Sequence, residues 1–309
     1  MSAAKQQSLI LAGRIDDENY QKSFECVEFL RDDRPNEYKF TVMEMVPVQW
    51  EAHLTKLREH FGIEKISSVT ACIVYTEDMT QCWCGAEFAM HITSITKFKL
   101  FDYPDDSTDP EAYKNQAKIR YNQFLRKTGH NFCFFKLSID GELLDEQVVF
   151  ELFTDVCPRT CENFRHLCIG DCADAHGPNN KSIKLHYKGT SFYRIVKEGW
   201  IQGGDIINDR GNAGHSIYGP VFPDESFSIK HETEGVLGFA NSGKDTNGSQ
   251  FYITMGRNSW MDGKYVAFGR VIEGISVIHR IHLLETRHNQ MPTVAVKIED
   301  CGEIDLTKF

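Results

Sequence analysis

A run of hydrogen-bonding side chains at Phe239–Thr254, FANSGKDTNGSQFYIT, is the segment of this sequence best suited to chemistry. A loop rich in Asn, Gly, Ser and Asp leads directly into a short strand of alternating polar and apolar residues. Period-two geometry puts Gln250 and Tyr252 on one face of that strand. The opposite face holds Phe251 and Ile253. Such a polar loop beside an apolar strand is typical of a groove that holds the backbone of another chain.

Two further motifs flank this run, FYRIVKEGWIQGGD at Phe192–Asp205 and WMDGKYVAFGRV at Trp260–Val271. The three motifs, in this order and at this spacing, closely resemble the cyclophilins, the cyclosporin-type peptidyl-prolyl isomerases. The resemblance extends from Asn131 to Ile304. It implies an eight-stranded antiparallel β-barrel capped by two helices. Many short apolar segments separated by Gly and Asn turns also favour a β-barrel.

The resemblance implies catalysis of X–Pro isomerisation, a reaction that needs no nucleophile and no metal. The amide C–N bond is partly double, so its rotation has a barrier of ~18–20 kcal/mol. A fixed donor aimed at the proline nitrogen in a dry pocket lowers this barrier, and arginine is a charged, planar, multi-donor group. Arg194 matches the family's catalytic arginine. An isolated arginine is more often a surface residue paired with a carboxylate, but the surrounding motif reverses that preference.

Other residues match the family's peptide groove. Gln202 matches the glutamine that binds the substrate backbone and helps to position the arginine. Asn241 matches the asparagine whose backbone pairs with the bound peptide. Trp260 suits either the core or the rim of the groove, and its place directly before a strand favours the rim. The predicted peptide-binding set also includes Trp200, Gly211, Ala240, Ser242, Gln250, Tyr252, Met261 and Tyr265.

The proline pocket departs from the family pattern, which is a Phe-Met pair, a second Phe, a Leu and a His. At the matching positions this chain has Gly199, Trp200, Tyr252, Met261 and Tyr265. Trp200 shares a strand face with Gln202, so we expect its indole to point into the groove, as a new wall or as a plug. Losing a buried Phe costs ~3–5 kcal/mol, and even ~2.7 kcal/mol of transition-state stabilisation is about a hundredfold in rate. Weak or lost isomerase activity is expected. An alignment shifted by one residue, in which Trp200 matches the phenylalanine of the family's Phe-Met pair, stays open.

The first hundred residues alternate β and α patterns, which favours a small α/β layer. Their order and size resemble the thioredoxin and glutaredoxin fold. Where that fold carries Cys-x-x-Cys or Cys-x-x-Ser, this chain has Asp17–Tyr20 (DENY), followed by Lys22. Thiol–disulfide chemistry is therefore excluded at that loop. Cys82 and Cys84 are interpreted as loop and packing cysteines, and we expect a redox-inactive domain that docks to another protein.

The predicted layout has two domains and a connection. A thioredoxin-like domain covers residues 1–100, an acidic linker with a helix covers 101–128, and a cyclophilin-like domain covers 129–309. The linker is acidic and contains two prolines in Phe101–Asn115. Asp109 and Pro110 suit a helix start, and that helix is expected to reach about Lys127.

Composition limits the partners and the location. The 309 residues carry a formal net charge of −10, which argues against nucleic acid as a partner. No window approaches the ~18 apolar residues of a membrane span, and the apolar start at Ser8–Gly13 is too short for a signal peptide. A cytoplasmic or nuclear location is expected, with ten reduced cysteines.

The cysteine spacing raises the question of a metal. Cys157 and Cys161 stand four residues apart, as do Cys168 and Cys172. Cys161 and Cys168 belong to one apolar helical stripe, so we interpret them as core residues. No metal and no cofactor are predicted.

Expected partners are proline-containing peptides or proteins, with no nucleic acid and no membrane. Weak cyclosporin binding is expected, because Trp260 supports it and Trp200 obstructs it. Three functions stay open: a weak or inactive isomerase-like protein that binds X–Pro segments, a fully active isomerase that assists folding, and a non-catalytic scaffold of a larger assembly. The retained Arg194, Gln202 and Asn241 favour the enzyme. The remodelled pocket and the thiol-free first domain favour the scaffold.

Overall fold

A computed structural model describes residues 6–98, 111–176 and 182–307. The chain divides into two compact units, residues 1–127 and 128–308. Residues 101–110 of the predicted linker lie outside the described residues. The predicted boundaries at residues 100 and 129, and the linker between them, stay predictions.

The first unit alternates strands and helices around a four-stranded mixed sheet. Its elements are β1 (Gln7–Arg14), α1 (Glu18–Asp33), β2 (Tyr38–Met45), α2 (Pro47–Phe61), β3 (Cys72–Thr76), β4 (Cys82–Cys84), α3 (Gly85–Ile95) and α4 (Ala112–Thr128). β1 pairs parallel with β2 and antiparallel with β3, and β4 extends the sheet beside β3, which gives the order β2-β1-β3-β4. Trp50 and Leu54 of α2 pack with Ile73 and Tyr75 of β3 in one buried cluster. This apolar face fixes α2 to the sheet.

One detail of the first unit differs from the sequence prediction. Cys82 and Cys84 were expected in a loop, but they lie on strand β4, which is too short at three residues to show an alternating pattern. The third strand begins at Cys72. A turn closed by the Thr70 N–H and the Ser67 carbonyl precedes it, and Val69 is 87% exposed. The β-branched side chain of Val69 therefore has no sheet partner.

The described part of the second unit consists mainly of short strands, with two helices. Its elements are β5 (Asn131–Ile139), β6 (Glu142–Leu143), β7 (Val148–Leu152), α5 (Pro158–Ile169), β8 (Ala175–His176), β9 (Ser182–Ile183), β10 (Phe192–Val196), β11 (Trp200–Gly203), β12 (Glu234–Phe239), β13 (Phe251–Met255), β14 (Ala267–Glu273), α6 (Ile275–His282) and β15 (Val296–Glu303). A single 3-10 turn, Ser259–Met261, precedes β14.

The main sheet of this unit is antiparallel and follows the order β10-β11-β13-β12-β14-β7-β5-β15, with β6 paired to β5. It curls into a half-barrel. An antiparallel bridge between Ser191, next to β10, and Lys297 on β15 connects the two ends of this order. Buried aromatic rings fill the interior, with Phe164 5.7 Å from Phe251 and Phe239 4.6 Å from Phe268. Aromatic contacts of this kind contribute beyond the area that they bury.

The local sequence determines where helix α5 begins and ends. Pro158 opens the helix, where its missing N–H costs nothing, and Gly170 ends it in the left-handed conformation at φ 72°. Cys161 and Cys168 are buried on its inner face, as predicted for core residues. No helix in the described part of the chain is both long and apolar enough to cross a bilayer.

Candidate functional site

A groove of about 460 Å³ lies among β10, β11 and the loops that follow β11 and β12. Seven of the predicted site residues line it: Arg194, Gln202, Gly211, Ala240, Asn241, Ser242 and Gln250. The other five predicted residues are absent from its lining: Trp200, Tyr252, Trp260, Met261 and Tyr265. The groove therefore includes the predicted backbone-binding residues but not the predicted proline-pocket residues.

Arg194 is held from two sides. Its Nε donates a hydrogen bond of 2.8 Å to Gln290 Oε1. Its guanidinium carbon lies 5.4 Å from the centre of the Trp200 ring, a cation–π distance. The resemblance assigned the positioning role to Gln202, and no motif marks Gln290. Gln290 is a functional residue that sequence reasoning missed.

Gln202 belongs instead to a network on the floor of the groove. Its Nε2 donates to Tyr193 Oη and to Gln250 Oε1, at 3.0 Å each. Gln250 Nε2 in turn donates to the Ala213 carbonyl at 2.8 Å. Trp200 Nε1 donates to Gln202 Oε1 at 3.2 Å, which confirms that the two side chains share one strand face. β11 pairs with β13 without a register shift, so Trp200 stands two residues before Gln202 on that face.

The loop after β11 is organised by Asp205, a fully buried carboxylate. It accepts six backbone N–H bonds of 2.8 to 3.3 Å, from Ile207, Asn208, Arg210, Gly211, Asn212 and Ala213. Gly211 has φ +81°, and a Cβ there would lie 2.3 Å from the Tyr193 ring. Only glycine suits this position, because both its backbone angle and its space exclude a side chain. The loop thereby presents Gly211 and the Ala213 carbonyl to the groove.

The opposite side of the groove is the loop around Asn241. Asn241 Nδ2 donates to the Lys264 carbonyl at 2.9 Å, and its Oδ1 accepts from the Gly243 N–H at 3.2 Å. The Ser242 N–H donates to Thr246 Oγ1, which closes the loop. Within the described residues, the backbone N–H and carbonyl of Asn241 have no protein partner. These two groups are available to another chain.

Beside the groove, four aromatic side chains form a continuous cluster. The Trp200 and Trp260 rings are 5.6 Å apart, and Tyr265 lies 6.0 Å from both Trp260 and Tyr252. Trp260 is 50% exposed, whereas Met261 and Tyr252 are buried. Trp200 therefore covers the side of the cluster that adjoins Arg194.

The Tyr252 side chain is buried, and its hydroxyl forms a hydrogen bond of 2.6 Å with His231 Nε2. His231 Nδ1–H donates to Asp262 Oδ1 at 2.7 Å. The hydrogen bond from His231 holds the pKa of Asp262 below its usual range, and burial raises the pKa of Tyr252. Gly238 makes room, because a Cβ there would lie 2.2 Å from Tyr252 Oη. His231 is a second residue that the motifs did not reveal.

Tyr252→Phe is expected to lower the free energy of unfolding of the second unit by about 1–2 kcal/mol, because it leaves the buried His231 Nε2 without a partner. Tyr265→Phe is the matched control. The Tyr265 hydroxyl has no partner within the described ranges, so its loss is expected to change stability by less than about 0.5 kcal/mol. Urea unfolding of both variants checks the difference. Equal effects would contradict the role given to the Tyr252 hydroxyl.

Residues 134–303, more than half of the chain, match the family model for the cyclophilin type peptidyl-prolyl cis-trans isomerase/CLD. The chain belongs to the cyclophilin family. Three similar cyclophilins are each named probable inactive peptidyl-prolyl cis-trans isomerase-like 6. The protein from Bos taurus is 35% identical over 95% of this chain and 92% of its own length. Those from Homo sapiens and Mus musculus are 37% identical, over 92% and 95% of this chain and 88% and 90% of their own lengths.

One group of possible metal ligands occurs in the part of this cyclophilin that the structure describes. Ligand atoms of His166, Asp171 and Cys172 lie within 4.8 Å of one another at the end of α5. His166 Nδ1 already bonds Asp171 at 2.6 Å, and the Arg165 guanidinium bonds His166 Nε2 at 3.0 Å. A metal on Nδ1 would leave a proton on Nε2 facing the guanidinium, so we assign no metal to this group.

Proposed function

We propose that this cyclophilin binds extended X–Pro segments in its groove and catalyses their isomerisation weakly or not at all. The observation that carries this proposal is the packing of Trp200 against Trp260, beside a groove whose backbone-binding groups remain open. The names of the three mammalian relatives agree with it. The alternatives are a fully active isomerase and a non-catalytic scaffold or docking subunit of a larger assembly.

Peptide binding and catalysis need different groups, so the groove can bind a peptide even where the site does not catalyse isomerisation. Holding an extended peptide needs backbone donors and acceptors, which the N–H and carbonyl of Asn241 supply, together with the second lone pair of the Ala213 carbonyl and the second amide hydrogen of Gln250. Catalysis also needs a dry apolar socket that grips the proline ring while the amide twists, since only interactions that strengthen in the transition state raise the rate. Trp200 covers the aromatic cluster where such a socket is expected. The two Nη groups of Arg194 have no protein partner in the ranges that the structure describes, and without the pocket no proline nitrogen of the peptide is held in position to accept a hydrogen bond from them.

The test is a titration of the 15N-labelled chain with a Phe-Pro peptide. We expect chemical-shift changes at the amides of Ala213, Asn241 and Gln250. Gly211→Ala should remove them, because its Cβ displaces the loop. Gly141→Ala is the control, since this glycine also has a positive φ but open space at Cβ. No shift change in the wild type would contradict peptide binding in this groove, and fast exchange between the cis and trans peptide would support the enzyme.

Cyclosporin is expected to bind weakly, because exposed Trp260 supports it and Trp200 obstructs the adjoining surface. Isothermal titration measures this directly. A nanomolar dissociation constant would contradict the proposal, since it requires an open pocket.

We also propose that the half-barrel of the second unit is the family's eight-stranded barrel, capped by α5 and α6. The Ser191–Lys297 bridge between the end strands supports this. A cytoplasmic or nuclear location is proposed as well, because all ten cysteines are unpaired, as expected in a reducing compartment. Recovery of the protein in a secreted fraction would contradict that location.

For the first unit we propose a thioredoxin-like fold without redox activity. Its sheet order β2-β1-β3-β4 and the parallel β1–β2 pair support the fold. The thiol nearest the start of α1 is Cys72, whose Sγ lies 3.3 Å from Ser23 Oγ. Burial raises the pKa of Cys72 to about 12, so it is not a thiolate near neutral pH. A thiol–disulfide exchange assay with detectable turnover would contradict this proposal.

We propose that this unit docks to another protein. A largely apolar groove of about 490 Å³ lies between α1 and α3, and Met90 on its edge is 66% exposed. Flexible thioether side chains suit adaptable protein contacts. A photo-crosslinker at Met90 should form specific adducts in cell extract, whereas one at Ile63, also exposed at 68%, should not. Equal labelling at both positions would contradict docking at this groove.

A further inference from the structure

Among the described residues that line the peptide groove, Arg194 is the only charged one. In the part of the chain that the structure describes, no carboxylate lies within ion-pair distance of it, although the protein carries a net charge of −10. Fixed cations of this type are usually paired when they are partly buried. Arg194 is therefore an unpaired cation that faces the groove of an acidic protein.

This guanidinium is also preorganised. Gln290 accepts from Nε at 2.8 Å, and the Trp200 indole covers one face. Gln290 is itself fixed, because its carbonyl accepts the Ile195 N–H at 2.8 Å and its N–H donates to the Arg287 carbonyl at 2.9 Å. The two Nη groups have no partner among the described residues. Arginine held in this way presents a planar fork that matches a carboxylate.

We infer that the groove selects extended peptides that carry a Glu or Asp side chain close to the proline, with Arg194 as the carboxylate-binding residue. The inference rests on the proposed peptide binding and adds the ligand class. A peptide carbonyl would also accept from Arg194, but it would leave the positive charge uncompensated. The open backbone groups of Asn241 suit a chain that continues past the site. The carboxylate is therefore assigned to an internal side chain rather than to a chain terminus.

The experiment compares acetylated, amidated peptides around a central Ala-Pro, with Glu or Gln placed in turn at the two positions on each side. Isothermal titration gives the dissociation constants. For at least one position we expect the Glu peptide to bind about fivefold tighter than the Gln peptide, and raising the salt concentration should reduce this ratio. The ratio removes differences of size, because Glu and Gln have nearly the same shape, and leaves the effect of the carboxylate itself.

Two variants test whether the ratio of the dissociation constants depends on Arg194 and its partner Gln290. Gln290→Glu puts a carboxylate beside Arg194, so the Glu-to-Gln ratio should fall to about one. Asn289→Asp adds the same charge at the adjacent, exposed residue, whose Oδ1 accepts only the Met291 N–H at 3.3 Å. This control should keep the ratio of the wild type. A loss of the ratio in both variants would indicate general charge repulsion and would overturn the inference.

The outcomes separate this inference from the proposed function. Equal binding of Glu and Gln peptides at all four positions would overturn the inference and leave peptide binding intact. No binding of any peptide would overturn the proposed function itself. A preference for a free C-terminal carboxylate over an internal Glu would also overturn the inference, since the groove would then recognise the C-terminus of a peptide rather than an internal side chain.

Discussion

Asp205→Asn is expected to destabilise the second unit by about 3 kcal/mol and to abolish peptide binding, because one buried carboxylate accepts six backbone N–H groups. An amide in either orientation turns its own NH₂ group toward at least two of these donors. Hydrogen bonds to a charged acceptor are also stronger than those to a neutral one. Urea unfolding, followed by the amide resonances of β10 to β15, measures the loss.

Asp209→Asn is the matched control for this change. Asp209 lies in the same loop and accepts only the Ser191 N–H and hydroxyl, at 2.6 Å each. It has a positive φ of 57°, which Asn tolerates well. The expected loss is about 1 kcal/mol. If the two variants are equally stable, or if Asp205→Asn still binds the peptide, the loop does not depend on Asp205.

Trp200→Phe is expected to raise the rate of prolyl isomerisation by about tenfold or more, which corresponds to about 1.4 kcal/mol of transition-state stabilisation. The smaller ring loses its contact with Trp260 and uncovers the side of the aromatic cluster that adjoins Arg194. A proline can then occupy that surface while Arg194 remains beside it. The measurement is magnetisation exchange between the cis and trans forms of a Phe-Pro peptide.

The control for this gain is Trp83→Phe, the same substitution on β4 of the first unit. It should leave the exchange rate unchanged, because Trp83 lies outside the groove. A higher cis–trans exchange rate in Trp200→Phe, with an unchanged rate in Trp83→Phe, would show that the Trp200 indole blocks the proline pocket. An unchanged rate in Trp200→Phe, with the peptide still bound, would show that another feature limits catalysis.

The sequence predicted the parts of this structure that repeat a local pattern. Alternating apolar residues and glycine turns indicated the strands of the second unit, and motif spacing indicated Arg194, Gln202 and Asn241 as groove residues. The period of two also predicted that Trp200 and Gln202 share a face. Short elements were missed, such as β4, because three residues give no period.

The partners of the site residues were beyond sequence reasoning because they are distant in the chain. Gln290 lies 96 residues from Arg194, and His231 lies 21 residues from Tyr252. Neither belongs to a motif, so only the folded chain brings them to the site. The direction of the Tyr252 hydroxyl depends on the space left by Gly238 on the neighbouring strand. Tertiary packing, rather than local preference, decides these contacts.

The central claim is most directly tested by exchange spectroscopy on a Phe-Pro peptide with the wild-type cyclophilin and with Arg194→Ala. We expect chemical-shift changes at the groove amides of the wild type but no enhancement of cis–trans exchange. A clear enhancement by the wild type that Arg194→Ala abolishes would contradict it. That result would make the protein an active isomerase with Trp200 as part of its proline pocket.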